Sequence, residues 1–449
     1  METLRTSSYM IPVKLEKEKD KYMLIHGYTG AADVITADLF EKIKNISNTN
    51  NLSNNTLNIL LSRGYITTKT EEEEYAYVAR IAKALHKGSD ILNSYFTWVV
   101  SYNCNFRCPY CFEEKDKKDG KNKLSFSLEQ VDIAYNIQEM IQPHKELRSN
   151  VITLYGGEPL LAENKEVVNY IVEEGCKRGY QFIAITNGYE INHFLNLLSP
   201  DKIKKLQITI DGPKEMHNQR RIHYKDNNTF DTIIENIKLA LKKDIEIVVR
   251  MNTDLYNLEK FIELKDYFKE NQFFNYPNFK IYSARLREYD YFTETERKSL
   301  KFIPLQKFTA KQINQGIDPL DNNKYYKIYN ALKNKRSIPF NPIGCTAQSG
   351  GYVLDPIGNI YPCWEVIGKK EFVEGTYSSK GVIWNNKVLN RWHNSDVTQR
   401  KPCNHCKYAL FCGGGCPYHN FIMNKRENQC STFKELFNQT VNKAYAELY

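Results

Sequence analysis

Six short runs of β-branched and aromatic residues recur between positions 95 and 284, and helical periodicity follows them. The runs are YFTWVVS (95–101), NVITLY (150–155), YQFIAIT (180–186), KLQITI (205–210), IEIVVRM (245–251) and NFKIYSA (278–284). Runs that are apolar almost throughout are typical of strands buried on both faces, and their alternation with amphipathic helices predicts a parallel sheet. Six units are too few to close an eight-stranded barrel, so the pattern predicts an open, partial barrel with ligands at the C-terminal strand ends.

The segments on either side of this region differ from it in residue composition and in the order of their predicted elements. The N-terminal part orders a possible hairpin, helical segments at about 37–45 and 55–62, and a short strand in RGYITTK, which favours a winged-helix-like module for peptide recognition. Charged and aromatic helical stretches follow the barrel, and the C-terminal region is rich in cysteine, glycine and proline. The predicted fold class is therefore α/β, with domains at 1–88, 95–286, 287–340 and 341–449.

Composition and charge narrow the class of protein. Of the 449 residues, 41% are hydrophobic and 26% are charged, which is typical of a globular protein. The chain has no apolar run of membrane-spanning length and its N-terminus lacks a signal peptide, so we expect a cytoplasmic protein with no membrane partner. The net charge of +9 is modest and dispersed, so no nucleic-acid partner is expected. The run Glu71–Glu74 is interpreted as the solvated first turn of a helix capped by Thr70.

Ten of the eleven cysteines fall into two groups, and Cys176 alone is interpreted as an ordinary half-buried thiol. An odd number of cysteines without an export signal favours metal ligation or thiol chemistry over a disulfide framework. The first group, Cys104-x3-Cys108-x2-Cys111, lies just after the first predicted strand. Three thiolates on a tight loop suit three irons of a cubane cluster and leave the fourth iron open. A zinc site completed by a distant ligand is the alternative.

The second predicted strand ends in LYGGEP, residues 154–159. Gly156 and Gly157 allow a ligand to approach the backbone closely, and the Glu158 carboxylate can hold an ammonium group. Taken alone, such a tetrapeptide is usually a turn. Because it follows the second strand as the cysteines follow the first, both are predicted to face the same space.

A CxxxCxxC motif with an aromatic before its last cysteine, followed by GGEP, resembles the radical S-adenosylmethionine (SAM) superfamily over roughly 98–286. The resemblance implies that SAM binds the open iron of a 4Fe-4S cluster and is cleaved to a 5'-deoxyadenosyl radical, which abstracts a hydrogen atom. It implies cofactor contacts from Tyr110, Gly156, Gly157, Glu158, Pro159, Thr186, Asn187, Asp211 and Arg221.

Individual roles follow from the same resemblance. Glu158 would contact the methionine ammonium, the main chain around Tyr110 the adenine, and Arg221 the cofactor carboxylate, for which a planar bidentate donor is well suited. Asp211 and Arg221 belong to DGPKEMHNQRR, which resembles the DGP...HxxxR segment of that family. VRMN ends the fifth run, and by the same resemblance its residues Arg250 to Asn252 would also face the cofactor.

The second cysteine group resembles the SPASM extension. It reads Cys345-x17-Cys363, then CxxCx5CxxxC from Cys403 to Cys416, then Cys430. A zinc ribbon would explain one CxxC pair but not all seven residues. The resemblance implies two auxiliary 4Fe-4S clusters, making three clusters in all. One would be held by Cys403, Cys406, Cys412 and Cys430, and the other, with an open iron, by Cys345, Cys363 and Cys416.

Together these features resemble the thioether-forming (sactipeptide or ranthipeptide) maturases, and among them those of cysteine-rich SCIFF peptides. The resemblance implies a ribosomally made precursor peptide whose leader adds a strand to the N-terminal module, a peptide thiolate on the open auxiliary cluster, and an external electron donor. A carbon–carbon crosslinking maturase is one alternative. An anaerobic sulfatase maturase is another, but it carries an aspartate directly after the cysteine matched by Cys363, where this chain has Trp364. A non-enzymatic electron carrier would leave GGEP unexplained.

Replacing Cys104, Cys108 and Cys111 with alanine is expected to abolish 5'-deoxyadenosine production, because no other residues are predicted to hold the radical-initiating cluster. Chromatography of the reduced reaction mixture measures the product, and iron analysis serves as the control, since the auxiliary iron should remain. Continued SAM cleavage by the triple variant would contradict the assignment.

Overall fold

The computed structural model describes residues 4–44, 46, 52–92, 94–113, 124–289, 292–315, 323–419 and 429–448. Its strands, in chain order, are β1 (Arg5–Thr6), β2 (Met10–Lys14), β3 (Lys21–His26), β4 (Ala32–Thr36), β5 (Ile66–Thr67), β6 (Ser94–Ser101), β7 (Arg148–Gly156), β8 (Gln181–Thr186), β9 (Ile203–Thr209), β10 (Glu246–Thr253), β11 (Phe279–Arg285), β12 (Gly351–Leu354), β13 (Asn359–Tyr361), β14 (Gly375–Ser378) and β15 (Gly381–Trp384).

The α-helices alternate with these strands through the middle of the chain. In chain order they are α1 (Ala37–Lys44), α2 (Asn54–Arg63), α3 (Glu71–Leu92), α4 (Leu128–Ile141), α5 (Lys165–Lys177), α6 (Lys214–Arg220), α7 (Thr229–Leu241), α8 (Lys260–Glu270), α9 (Glu294–Leu300), α10 (Leu305–Asn314), α11 (Asn323–Lys333), α12 (Asn386–His393), α13 (Ala409–Cys412) and α14 (Gln429–Leu448).

The chain forms two compact units, each assembled from distant segments. Unit 1 combines Met1–Ser89, Pro304–Gln348 and Asn394–Tyr449, and unit 2 combines Asp90–Ile303 with Ser349–His393. The division of the chain into four functional domains, at 1–88, 95–286, 287–340 and 341–449, stays a prediction. No helix in the described part of the chain is both long and apolar enough to cross a membrane.

Unit 2 confirms the predicted α/β class and its partial barrel. Its sheet has the order β11-β10-β9-β8-β7-β6, with every neighbouring pair parallel, and it continues through β12 into the antiparallel strands β13, β14 and β15. Trp98, Leu154 and Ile208 are 0% exposed, as expected for strands with both faces covered. All six runs singled out in the sequence are therefore strands of this sheet.

The N-terminal part of unit 1 contains the predicted hairpin, both helices and the short strand β5. A third strand, β4, which the hydrophobic pattern did not indicate, pairs with β3 to give an antiparallel sheet of order β2-β3-β4. The Ser53 side chain caps α2 by accepting from the Thr56 N–H at 3.1 Å, and Gly64 ends the helix in the left-handed conformation with φ of 88°. These local signals explain why the module was recognisable in the sequence.

Unit 1 has a core that distant segments share. Buried residues of β2 and β3, including Ile11 and Ile25, pack in one cluster with residues of α11 and α14, including Ile328 and Phe437. The N-terminal strands therefore share one core with the C-terminal helix, while other residues of the same strands, Met10 and Leu24, pack in a second cluster with Phe40 and Leu60 of α1 and α2.

The expectation that Glu71–Glu74 is a solvated helix start is wrong for its last residue. Thr70 caps α3 as expected, and its Oγ1 accepts from the Glu73 N–H at 3.2 Å. Glu74 is 0% exposed, ion-paired with Arg5 at 2.6 Å, and accepts from the Tyr28 hydroxyl at 2.9 Å. A buried carboxylate requires such partners, and these come from residues far away in sequence, which a local charge pattern cannot reveal.

Replacing Glu74 with glutamine is expected to loosen the start of α3 against β1, because hydrogen bonds to a buried charge are worth about 1.5–3 kcal/mol each. Hydrogen exchange of the Arg5–Ser8 amides, followed by mass spectrometry, should accelerate by about tenfold or more. Glu72→Gln, at an exposed position of the same turn, is the matched control. Equal exchange in both variants would show that the buried carboxylate does not hold this contact.

Candidate functional site

The three cysteines of the first group line one cavity of about 390 Å³ in unit 2, beyond the C-terminal end of β6. The loop turns tightly, since the Cys111 N–H donates to the Cys108 carbonyl at 3.0 Å. Among the described residues, no three His, Cys, Asp or Glu side chains gather closely enough to hold a single metal ion. A cubane cluster does not require that approach, because each cysteine binds a different iron.

The GGEP loop is fastened to the cysteine loop through the backbone. The Gly157 N–H donates to the Ser101 carbonyl at 2.9 Å, and the Glu158 N–H donates to the Asn103 carbonyl at 2.7 Å. A Cβ on Gly157 would stand 2.3 Å from the Asn103 oxygen, and Gly156 has φ of 125°. We expected these glycines to make room for a ligand. Their Cβ positions show that they let two strand-end loops touch, and because both glycines also line the cavity, their role in admitting a ligand stays a prediction.

The Glu158 side chain joins the GGEP loop to the loop after β8. It is 1% exposed, and it accepts from the Thr186 hydroxyl at 2.6 Å, the Leu160 N–H at 2.9 Å and the Asn187 N–H at 2.5 Å. Burial raises the pKa of this carboxyl group to about 7, although the three donors oppose the shift. Glu158 therefore positions two loops of the site, and its contact to an ammonium group stays a prediction.

The DGP...HxxxR segment surrounds Tyr110. The Tyr110 hydroxyl donates to the Asp211 carboxylate, which is 0% exposed, and burial raises the pKa of Tyr110 well above its usual value. One guanidinium nitrogen of Arg221, Nη1, lies 3.2 Å from the Tyr110 hydroxyl and 3.3 Å from the Cys108 sulfur. His217 is fully buried, and burial lowers its pKa well below the usual value, so it is neutral. These contacts connect the segment to the part of the cysteine loop that contains Cys108 and Tyr110.

Most of the predicted cofactor residues meet at the cavity, but two do not. Pro159 and Asp211 are buried and do not line it. The residues that do line it come from the loops after β6, β7 and β8 and from the segment after β9: Tyr110, Gly156, Gly157, Glu158, Thr186, Asn187 and Arg221.

The far wall of the cavity contains side chains that the sequence did not single out. Arg285 is the last residue of β11, and Arg287 follows it two residues later. Arg250 lies on β10, and from the sequence it was named only as part of VRMN. The rule that ligands lie at the C-terminal ends of parallel strands could have identified Arg285. Nothing local in the sequence marked Tyr155 or Tyr289, which also line the wall.

A short turn after Cys363 completes this wall. The ring of Trp364 stacks on Tyr155 with centroids 5.6 Å apart, and the Glu365 carboxylate pairs with Arg287 at 2.5 Å. The Cys363 sulfur accepts from the Glu365 N–H at 3.5 Å, at the start of the turn. Cys363 thus directly precedes two residues of the cavity.

The remaining cysteines of the second group lie in unit 1. Burial raises the pKa values of Cys406 and Cys412, and the neighbouring Cys430 thiol raises both further, so these three lie within electrostatic reach of one another. Cys345 and Cys416 each follow a glycine, and these glycines are in contact, since a Cβ on Gly344 would stand 1.8 Å from the Gly415 oxygen. The predicted ligand sets remain predictions.

The chemistry of the donors around the cavity fits a cluster with SAM. Three sulfur atoms suit iron, while Arg221 and Arg250 each keep a buried Nε–H that has no acceptor among the described residues. Such groups can meet the carboxylate of an amino acid. When bound, the cluster and SAM would supply a 5'-deoxyadenosyl radical, and this chain's residues would hold them and shield them from water.

Comparisons with known proteins agree with this site. Residues 98–268 match the model of the Radical SAM superfamily. This part of the chain is therefore similar to the Radical SAM superfamily, and it contains both the cysteine loop and the strand-end contacts described above.

One related sequence and two solved structures are similar to this chain over more than residues 98–268. A "Cysteine-type anaerobic sulfatase-maturating enzyme" from Clostridium novyi is 24% identical over 364 residues, covering 77% of this chain and 94% of that protein. The structure of anSMEcpe with bound AdoMet and Cp18Cys peptide has a TM-score of 0.54 at 19% identity, covering 79% of this chain and 99% of that one. SuiB of Streptococcus suis has a TM-score of 0.50 at 16% identity, covering 94% and 97%. At these identities the structures establish likeness of fold.

Replacing Gly157 with alanine is expected to separate the GGEP loop from the cysteine loop, because the new methyl group would lie 2.3 Å from a backbone oxygen. SAM affinity, measured by equilibrium dialysis with the reconstituted protein, should fall by about tenfold or more. Gly88→Ala is the matched control, since nothing lies within 4 Å of its Cβ position. Equal SAM affinity in both variants would mean that this backbone contact does not shape the site.

Proposed function

We propose that this protein is a radical SAM enzyme that installs an intramolecular thioether crosslink in a ribosomally made, cysteine-rich precursor peptide. The observation that carries the proposal is the shared cavity. It is lined both by the three cysteines of the cluster motif and by Trp364 and Glu365 of the turn that follows Cys363. A peptide in this cavity would lie between the predicted radical source and a predicted auxiliary cluster.

The proposed net reaction removes two hydrogens from the peptide. A carbon of the peptide loses a hydrogen atom to the 5'-deoxyadenosyl radical, and a cysteine thiol loses its proton as the carbon–sulfur bond forms. The remaining electron passes to an iron–sulfur cluster, and an external donor supplies the electron that cleaves SAM. The cavity walls hold the peptide and exclude water, which protects a carbon radical from side reactions.

The leader is proposed to bind at the free edge of β4. The His26 N–H donates to the Ala31 carbonyl, and the alternation of an antiparallel ladder then turns the backbone groups of Val34 away from β3. A groove of about 610 Å³ runs beside this edge and is lined by residues of β4, Arg63 and Arg336. An extended peptide could add a strand there, since an open strand edge offers unpaired N–H and C=O groups.

Oxidation of a cysteine or serine to formylglycine is the second candidate. Two observations favour it: a relative is named as a cysteine-type anaerobic sulfatase-maturating enzyme, and Glu365 lies in the cavity two residues after Cys363. The position directly after Cys363 is nevertheless occupied by Trp364, which stacks on Tyr155 and carries no acid–base group. We therefore rank this function below thioether formation.

The decisive experiment uses a short cysteine-rich peptide encoded beside this gene, incubated with the reconstituted enzyme, SAM and a reductant. Mass spectrometry should find two hydrogens lost per crosslink, with sulfur retained and one thiol no longer alkylated by iodoacetamide. Formylglycine would instead show loss of sulfur from cysteine. A carbon–carbon crosslink would lose two hydrogens but leave every thiol reactive, and either outcome would contradict the proposal.

Val34→Pro is expected to weaken leader binding by about tenfold or more, because proline removes an outward N–H from the β4 edge while sparing the ladder to β3. Fluorescence anisotropy of the labelled leader measures the effect, and Val34→Thr keeps the N–H as the matched control. SAM cleavage without peptide should stay unchanged. This substitution is preferable to deleting residues 1–85, which would uncover the core shared with α11 and α14. Equal leader affinity in both variants would remove the role of this edge.

A further inference from the structure

We propose that Arg250 binds a carboxylate of the substrate peptide and so selects for an acidic residue near the site of modification. The inference rests on the proposed function, because it requires that a peptide enters the cavity of unit 2. It assigns a specificity-determining role to a side chain on the wall opposite the GGEP loop.

Arg250 lies on β10, in register with Thr209 of β9 and Tyr282 of β11. All three residues line the cavity. Tyr282 is 37% exposed, so this part of the wall is open to solvent, whereas Tyr110 beside the cysteine loop is 7% exposed. Arg250 therefore lies between the enclosed, cysteine-lined part of the cavity and the side from which a peptide can enter.

The guanidinium group of Arg250 has no hydrogen bond or ion pair with any residue that the structure describes, and its Nε–H is buried. A buried donor without an acceptor carries a desolvation cost, because it has lost its hydrogen bonds to water. That cost is offset if a ligand supplies the acceptor. The combination of a cavity position and an unused, partly desolvated fork of donors is the arrangement that binds carboxylates side-on.

The other guanidinium groups of the cavity are already occupied by protein acceptors. These acceptors are the Tyr110 hydroxyl for Arg221 at 3.2 Å, the Ile303 carbonyl for Arg285 at 3.0 Å, and the Glu365 carboxylate for Arg287 at 2.5 Å. Among its buried guanidinium nitrogens, Arg221 keeps only Nε without an acceptor, whereas no guanidinium nitrogen of Arg250 has an acceptor in the described part of the protein.

Three carboxylates line the cavity, Glu113, Glu158 and Glu365, and none of them forms an ion pair with Arg250 in the described part of the protein. Glu158 is committed to donors from Thr186 and two backbone N–H groups, and Glu365 is committed to Arg287. An incoming anion would therefore find an unspent positive charge. A neutral peptide segment would leave the guanidinium unsatisfied, so the site discriminates between the two.

A carboxylate can reach Arg250 from the peptide or from the methionine end of SAM. We assign the peptide, because the arginine matched to the cofactor carboxylate, Arg221, lies within 3.3 Å of the Cys108 sulfur, beside the predicted cluster. Arg250 lies instead on the strand next to the exposed Tyr282. The test below separates the two sources.

The experiment uses reconstituted protein with SAM and two fluorescein-labelled probes, Gly-Cys-Gly-Glu-Gly-Cys-Gly amide and its counterpart with Gln in place of Glu. Anisotropy gives the affinity of each probe for the wild type, Arg250→Lys and Arg250→Met. Lys280→Met on the neighbouring strand is the matched control, since its charge is already paired with Glu246 at 3.2 Å. Equilibrium dialysis gives the affinity for SAM alone, and circular dichroism checks folding.

We expect the wild type and Lys280→Met to bind the Glu probe about tenfold more tightly than the Gln probe, and Arg250→Met to bind both equally weakly. Arg250→Lys should keep only part of the preference, because an ammonium group cannot form the bidentate pair. Equal binding of both probes by the wild type would overturn the proposal. So would a preference that survives in Arg250→Met, or a loss confined to SAM affinity, which would assign the carboxylate to the cofactor. None of these readings depends on product formation, so failure here is distinct from failure of the proposed reaction.

Discussion

The contact on which the site depends is the backbone pairing of the GGEP loop with the cysteine loop. Two hydrogen bonds, from Gly157 and Glu158 to carbonyls of the cysteine segment, bring the ends of β6 and β7 together. No side chain other than hydrogen fits at Gly157, because the Asn103 carbonyl occupies that space. The carboxylate of Glu158 then extends the connection to the loop after β8. These contacts join the ends of three strands, and none of them requires a cofactor.

The polar groups of the cavity differ in how many hydrogen-bond partners the protein gives them. On the side of the cysteine loop, the buried Tyr110 hydroxyl donates to Asp211 and lies 3.2 Å from one guanidinium nitrogen of Arg221. On β10, Arg250 has no hydrogen-bond or ion-pair partner among the residues that the structure describes. Such a cavity can hold a cofactor beside the cysteine loop and still offer the guanidinium group of Arg250 to a variable peptide.

Much of the fold was predictable because its signals are local. The six runs that form β6 to β11 were predictable as strands because each is largely apolar, and α2 begins and ends at residues whose capping chemistry is visible in the sequence. β4 was missed because its residues are half-buried or exposed, so that the strand shows no apolar run. The shared core of unit 1 was also out of reach, since it joins segments about three hundred residues apart.

For the candidate site, the sequence by itself determined which chemistry is present: three closely spaced thiols, a glycine-rich strand end with a carboxylate, and a further set of cysteines. Spacing along the chain suffices for that, because these groups act in short loops. Only the tertiary structure decided what each group touches. It buried Glu74 and Glu158 among distant donors, gave Arg287 a partner in Glu365, and left Arg250 with none. Burial and pairing depend on which remote segments pack together, and no local pattern encodes that.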